Sequence, residues 1–280
     1  MGIIRKHSSF FAALSFLCGS ADAATADRKF TVVIDPGHGG PDTGAIHKQV
    51  ADVTLTEKHF TLLLAKDLAR ELVIRGHKTA LTRTDDREVL LSDRTALANK
   101  MRADVFISIH MNSSSDTVRS GGVETFILNH ATDDTSKRLA DLENAVLKGS
   151  QVNHSSGSNH VSLIMKDLIL DSNLTPSKEL ACSVQARIKH AATDRGVKQA
   201  LFYVLLGTDM PSILIESGFM NLKEDRDRIL FRQSRMTLAA EIAAAVDDYR
   251  LKRTPKKCRI RSERQFIRKE EPTPRPKDRI

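Results

Sequence analysis

A single α/β domain with a mostly parallel, twisted sheet flanked by helices is the fold class this sequence predicts. Two patterns carry the prediction. Short apolar runs alternate with amphipathic stretches from about residue 30 to residue 250, the signature of strand–helix crossovers between parallel strands. Several of those runs also end abruptly in a charged or imidazole residue. Residues 31–35 form the first strand and end in Asp35. TEKHFTLLLAKDLARELVIR, residues 56–75, places Phe60, Leu63, Leu64, Leu68 and Leu72 on one helical stripe, with Gly76 as a stop. KTALTR is the next strand, and LSDRTALANKMR the next helix, with Ser92 as its cap. ADVFISIH, residues 103–110, is a continuous buried strand ending in His110, and GGVETFIL is another. A charged helix follows around residues 135–148, then the Gly/Ser/Asn-rich loop GSQVNHSSGSNH. Helices near 161–171 and 177–193 precede the strands QALFYVLL and SILIES, the latter closing on Glu216. RMTLAAEIAAAVDDYR is the last helix, and no internal repeat is visible.

At 280 residues and 40% hydrophobic content the chain can bury one sizeable core and still carry two dissimilar ends. Residues 1–23 read as an export signal: Arg5 and Lys6 precede an apolar stretch from Phe10 to Leu17, and Ala21-Asp22-Ala23 offers small residues for cleavage. That stretch is too short for a membrane helix of about 20 apolar residues. The expected location is therefore the periplasm or cell envelope. Cys182 and Cys258 remain after cleavage, one in a helical pattern and one in a polar tail. They imply no disulfide framework, and Cys182 reads as a buried thiol.

Residues 251–280 contain twelve Lys plus Arg against four Asp plus Glu, an excess equal to the whole-chain charge of +8. The basic character is thus confined to a proline-containing, apolar-poor tail expected to be disordered. For an exported chain the fitting partner is an anionic envelope surface, and no nucleic acid is expected.

VVIDPGHGGPDTGAI, residues 32–46, spends several glycines around one imidazole. A dinucleotide fingerprint fails, because Asp42 stands where the third glycine belongs. A histidine held at the carboxyl end of a strand fits better, since open α/β sheets place ligands there. His38, His110 and Glu216 all terminate strands, and Glu57 opens the first long helix above the same edge. Two imidazoles and a carboxylate with one open position form the recurrent catalytic zinc shell, and a second carboxylate supplies the general base. Glu57 also reads as ordinary helix-start charge. His47 and His59 are rival ligands. No H-E-x-x-H, G-x-S-x-G or S-x-x-K motif redirects the reading.

VVIDPGHGGPDTGA, LTEKHFTLLLAKDL, SDRTALAN, ADVFISIHMNS, GGVETFIL and PSILIESGFMNLKED stand in the order and spacing of a known family. Over about residues 31–250 the chain resembles the zinc-dependent N-acetylmuramoyl-L-alanine amidases of the cell-separation type. The resemblance implies one Zn2+ per chain, bound by His38, Glu57 and His110, and peptidoglycan as substrate. Glu216 would carry the proton from water to the leaving amine as the lactyl–L-alanine amide is cut. Asp35 would orient a ligand imidazole or cap the glycine turn. Arg94 would hold a peptide carboxylate or support the sheet edge, and Asn112 matches a motif position near the site. Residues 133–172 exceed a short connection, and SKRLADLENAVL resembles an inhibitory helix that an activator protein displaces, with Glu143 capping the metal. A monomer is expected. The rival readings are another zinc peptidase of the wall, such as a carboxypeptidase, and a non-catalytic wall-binding protein of the same fold.

Overall fold

Buried strands of this chain alternate side chains across two covered faces, and that alternation organises the molecule. The computed structural model describes residues 28–48, 54–113, 121–131, 133–145, 160–255, 258 and 260, with backbone alone for 160–171. Its strands are β1 (Thr31–Pro36), β2 (Ile46–Lys48), β3 (Thr54–Thr56), β4 (Lys78–Leu81), β5 (Val105–Asn112), β6 (Val123–Leu128), β7 (Asp194–Ala200) and β8 (Ser212–Phe219). The helices are α1 (Glu57–Ile74), α2 (Leu91–Lys100), α3 (Asp134–Glu143), α4 (His160–Ile188), α5 (Tyr203–Leu206), α6 (Lys223–Leu230) and α7 (Arg232–Arg250). Six strands form one sheet in the order β4-β1-β5-β8-β6-β7, while β2 and β3 pair separately. Every pairing in the large sheet is parallel except β6 with β8. The α/β expectation therefore holds.

One face of the sheet packs Ile34, Ile107, Ile109 and Ile215 against α1, α4 and α7 in the larger apolar cluster. The other packs Val33, Phe106, Phe126 and Leu214 against α2, α3 and α5. Register sets His110 beside Glu216 and Asp35 beside Ser108, on that second face.

Several sequence expectations are corrected. Ser92 does not cap α2, whose N-cap is Leu90 without a side-chain bond. The two helices expected between 161 and 193 are one, α4, with Pro176 inside it. QALFYVLL is strand only at Gln199 and Ala200, where β7 ends, and its last four residues form α5 from Tyr203. The loop 149–160 lies outside the described residues except for His160, which opens α4. The export signal and residues 261–280 lie outside them as well.

The cysteine reading is overturned. Cys182 and Cys258 form a disulfide across 76 residues of sequence, with Cα atoms 5.8 Å apart. Cys258 and Ile260 pack on the larger core, and Ile260 bridges Val197 on the edge strand β7. The start of the basic tail is thus fastened to the domain. Polar flanking sequence concealed this, since pairing depends on spatial approach rather than sequence spacing.

Candidate metal centre

Three adjacent parallel strands, β1, β5 and β8, run toward one edge, where His38 follows β1 and His110 of β5 stands in register with Glu216 of β8. Beyond β1 the chain turns so sharply that His38 adopts φ of 60°, unusual for a residue with a side chain. Arg94 from α2 secures that turn, donating to the carbonyls of Pro36 (2.8 Å) and His38 (2.9 Å) and to Asp35 Oδ1 (2.8 Å). Glycines then clear the space. A Cβ on Gly37 would stand 2.5 Å from the His110 ring, and one on Gly44 would stand 2.6 Å from both Glu57 Oε2 and His38 Cδ2. The backbone freedom around His38 therefore serves close approach of neighbouring side chains.

Glu57 arrives from the opposite layer, at the first position of α1. Its carboxylate accepts from the backbone amides of Met111 (2.9 Å) and Ala45 (2.9 Å), which aim it at the imidazoles. His38 Nε2 lies 3.0 Å from Glu57 Oε1 and 3.2 Å from Glu143 Oε2. His110 Nδ1 lies 3.1 Å from each of the same two oxygens. These four donors lie within 4.8 Å of one another. Atoms about 2.0–2.1 Å from a tetrahedral zinc stand about 3.3 Å apart, so the spacing fits such an ion. Orientation agrees: His38 Nε2 is buried between both carboxylates yet aligned to hydrogen-bond neither.

Asp42 escaped the sequence reading. His38 Nδ1 donates to Asp42 Oδ2 at 2.8 Å, which fixes the tautomer and turns the Nε2 lone pair toward the cluster. A carboxylate four residues after a ligand candidate was the available signal. Asp35, by contrast, contacts neither imidazole. It accepts from Thr82 (2.5 Å), Ser108 (2.8 Å) and Arg94, so it anchors the turn through Arg94. Arg94 also donates to Val89 O at 3.0 Å, so its contacts fit the expected support of the sheet edge. Asn112 is the buried last residue of β5 and lies outside the four-residue cluster. His47, in β2, and the exposed His59 also lie outside it.

Electrostatics follow from the crowding. Burial disfavours the charged form of His38, but Glu57, Asp42 and Glu143 outweigh it and raise the pKa well above the ordinary value. His110 is likewise opposed by burial and pushed to about 10, chiefly by Glu143 and then Glu57. Glu57 and Glu143 are held below the usual carboxylate range despite burial, by the facing imidazoles. Glu216 behaves differently. Fully buried, it has no hydrogen-bond partner among the described residues, and burial raises its pKa well above the ordinary value, with Glu143, Glu57 and Glu124 adding to the rise and His110 opposing it.

Against the cluster lies a cavity of about 370 Å³, lined by His38, His110, Glu143, Asn144, Phe202 and Leu90 among others. Glu143 ends α3, and the next residue fastens that end: Asn144 Nδ2 donates to Leu201 O (2.7 Å) and Asn144 Oδ1 accepts from Tyr203 N (2.9 Å).

Fold and site together define a hydrolytic enzyme of α/β architecture, with a sheet edge able to hold a metal ion beside a buried acid. The chain belongs to the N-acetylmuramoyl-L-alanine amidase family, Amidase_3, whose model matches residues 32–248. It is 31% identical over 231 residues to the N-acetylmuramoyl-L-alanine amidase AmiA of Escherichia coli K12, covering 81% of this chain and 78% of that protein. With AmiC of Neisseria meningitidis serogroup B it shares 32% over 226 residues, covering 79% of this chain and 53% of that protein. The crystal structure of the amidase from Clostridium difficile 630 matches with a TM-score of 0.59 at 31% identity, over 80% of this chain and 97% of that one. AmiC2 of Nostoc punctiforme gives 0.56 at 28%, over 80% and 98%. The protein is a hydrolase of peptidoglycan that cleaves the amide between N-acetylmuramic acid and L-alanine, an activity of cell-wall remodelling.

Proposed function

We propose that this amidase works with one zinc ion per chain, held by His38, Glu57 and His110, and with Glu216 as the proton carrier. One observation carries the reading: three donors from separate elements converge at ligand spacing beside a buried carboxylate that has no hydrogen-bond partner among the described residues. When bound there, zinc supplies Lewis acidity toward the scissile carbonyl and a lowered pKa for water. Glu57, fixed by two backbone amides, keeps its oxygen presented, and Asp42 holds His38 in the tautomer whose Nε2 is available. Glu216 accepts the proton of the attacking water and returns it to the leaving nitrogen. Its ionisation is favoured by any positive charge gained at the cluster and by loss of the neighbouring Glu143 carboxylate. Leu90 and Phe202 give the cavity an apolar lining beside the cluster.

The resting state is closed in this reading. Glu143 occupies the fourth donor position, where a carboxylate displaces water, and Asn144 holds it there through two backbone bonds. An activator protein binding displaced α3 raises turnover by enlarging the open population. Export to the periplasm or envelope is supported by the Cys182–Cys258 disulfide, which persists in oxidising compartments. The basic tail contacts anionic envelope material, and the enzyme acts as a monomer.

The test combines metal analysis with mass spectrometry of digested peptidoglycan. Intact stem peptides beginning with L-alanine are the expected product, and shortened peptides would indicate a carboxypeptidase instead. His38→Ala and His110→Ala are expected to lose zinc and activity together, whereas retained zinc in either would overturn the ligand set.

A further inference from the structure

Arg83 stands among the largest fully buried side chains of the protein, and its hydrogen bonds reach no carboxylate. Its Nε donates to Pro36 O (3.0 Å) and its Nη1 to Asp85 O (3.1 Å). Its Nη2 reaches Gly37 O (2.7 Å), Lys58 O (2.8 Å) and Thr61 Oγ1 (3.0 Å). Thr61 Oγ1 in turn donates to Gly37 O at 2.9 Å, closing a triangle between the β1 turn and the first turn of α1. Gly37 immediately precedes His38, and Lys58 immediately follows Glu57. One guanidinium nitrogen therefore ties together the backbone segments that carry two of the converging donors.

We propose that Arg83 is a positioning residue that sets the spacing between His38 and Glu57, and through it the affinity of the centre for its metal. The inference rests on the assignment of those two residues as ligands. A buried cation surrounded by neutral carbonyls is costly. Burial and the nearby Arg94 lower the Arg83 pKa to about 10, with Asp35, Asp86 and Asp42 opposing. A merely space-filling side chain would meet no such cost, so the position is explained by what the planar fork can do. It addresses four backbone carbonyls from three segments at once, which a lysine ammonium cannot reproduce. The loop is shaped around it as well: a Cβ on Gly39 would press on Arg83 Cδ at 3.0 Å and on Arg87 O at 2.2 Å. Groups that orient metal ligands from behind typically change affinity by about 10–100-fold when removed.

The experiment uses the full chain and its Arg83→Lys and Arg83→Met variants, with Arg235→Lys as a control. Arg235 is a buried arginine that pairs with Asp67 (2.7 Å) and holds α7 to α1 away from the centre. Zinc affinity is measured by competition with a chromophoric chelator, the visible absorption spectrum is recorded after Co2+ substitution, and Tm is taken on metal-free protein. The expected result is a zinc affinity about 10–100-fold weaker and an altered Co2+ spectrum in both Arg83 variants, Arg83→Lys being the milder. Arg235→Lys should lower Tm while keeping the parental affinity and spectrum. Should Arg83→Met fail to fold, Arg83→Lys decides. Parental zinc affinity and Co2+ spectrum in folded Arg83 variants, alongside zinc loss in His38→Ala, would overturn the positioning role alone. Zinc retained in His38→Ala would overturn the ligand assignment beneath it.

Discussion

The two faces of the large sheet are built by the same strands and do opposite work. On β5, Ile107 and Ile109 enter the cluster beneath α1, α4 and α7, while Ser108 and His110 point to the face covered by α2, α3 and α5. β8 repeats the division, with Ile215 on the apolar face and Glu216 on the other. Both faces are buried, yet one is mainly apolar, with Thr125 bonded to Gln185 of α4 as a neutral polar pair, and the other carries charge and borders a cavity. A period of two lets one residue stabilise the domain and its neighbour perform chemistry, so the costs of burying charge stay on one side.

Neighbouring substitutions on β8 test that division most severely. Glu216→Gln should reduce hydrolysis by about 10²- to 10⁴-fold while leaving zinc content and the urea midpoint unchanged, since it replaces a buried acid with an amide of the same shape that cannot carry the proton. A near-normal turnover number would remove Glu216 from the mechanism. Ile215→Ala, one residue away, should lose about 2–5 kcal/mol of stability, read by urea unfolding, with activity per folded molecule within a few-fold of the parent. A selective loss of turnover there would break the separation between faces.

The disulfide sharpens the comparison from the apolar side. Cys258→Ser should cost about 2–4 kcal/mol, as expected for releasing a long loop, and a reductant should do the same to the parent and nothing to the variant. Equal unfolding midpoints with and without reductant in the parent would show that the bond contributes no stability. On the working face, Asn144→Ala removes two hydrogen bonds of about 0.5–1.5 kcal/mol each. Basal hydrolysis should then rise several-fold with zinc content unchanged, and a flat or reduced rate would argue against a closed resting state.

The smallest effect concerns acid stability. Burial opposes ionisation of Asp35, but Arg94, Thr82 and Ser108 outweigh it and hold its pKa below the ordinary 3.8. A carboxylate depressed in the folded state contributes stability that is complete above the unfolded value and lost as pH falls through the folded one. Asp35→Asn should therefore show a flatter decline of stability on the acid side of 3.8 than the parent. Identical slopes in the two proteins would mean that the Asp35–Arg94 pair adds nothing to acid sensitivity.

Much of this protein was legible in its sequence because the informative signals are local. The continuous apolar run in ADVFISIH announces a buried strand, the stripe from Phe60 to Leu72 announces α1, and strand ends mark His38, His110 and Glu216. Element type was less legible where local preference and context disagree, as at Phe202–Leu206, whose apolar run reads as a strand but forms α5 against the smaller core. Tertiary structure alone decided the rest. Asp42 turns His38, Asp35 and Arg94 pair across 59 residues, Cys258 reaches Cys182, and Arg83 ties Gly37 to Lys58. The physical reason is common to all four: a hydrogen bond or disulfide depends on distances of a few ångströms in the folded chain, whereas sequence periodicity specifies only which face a residue occupies.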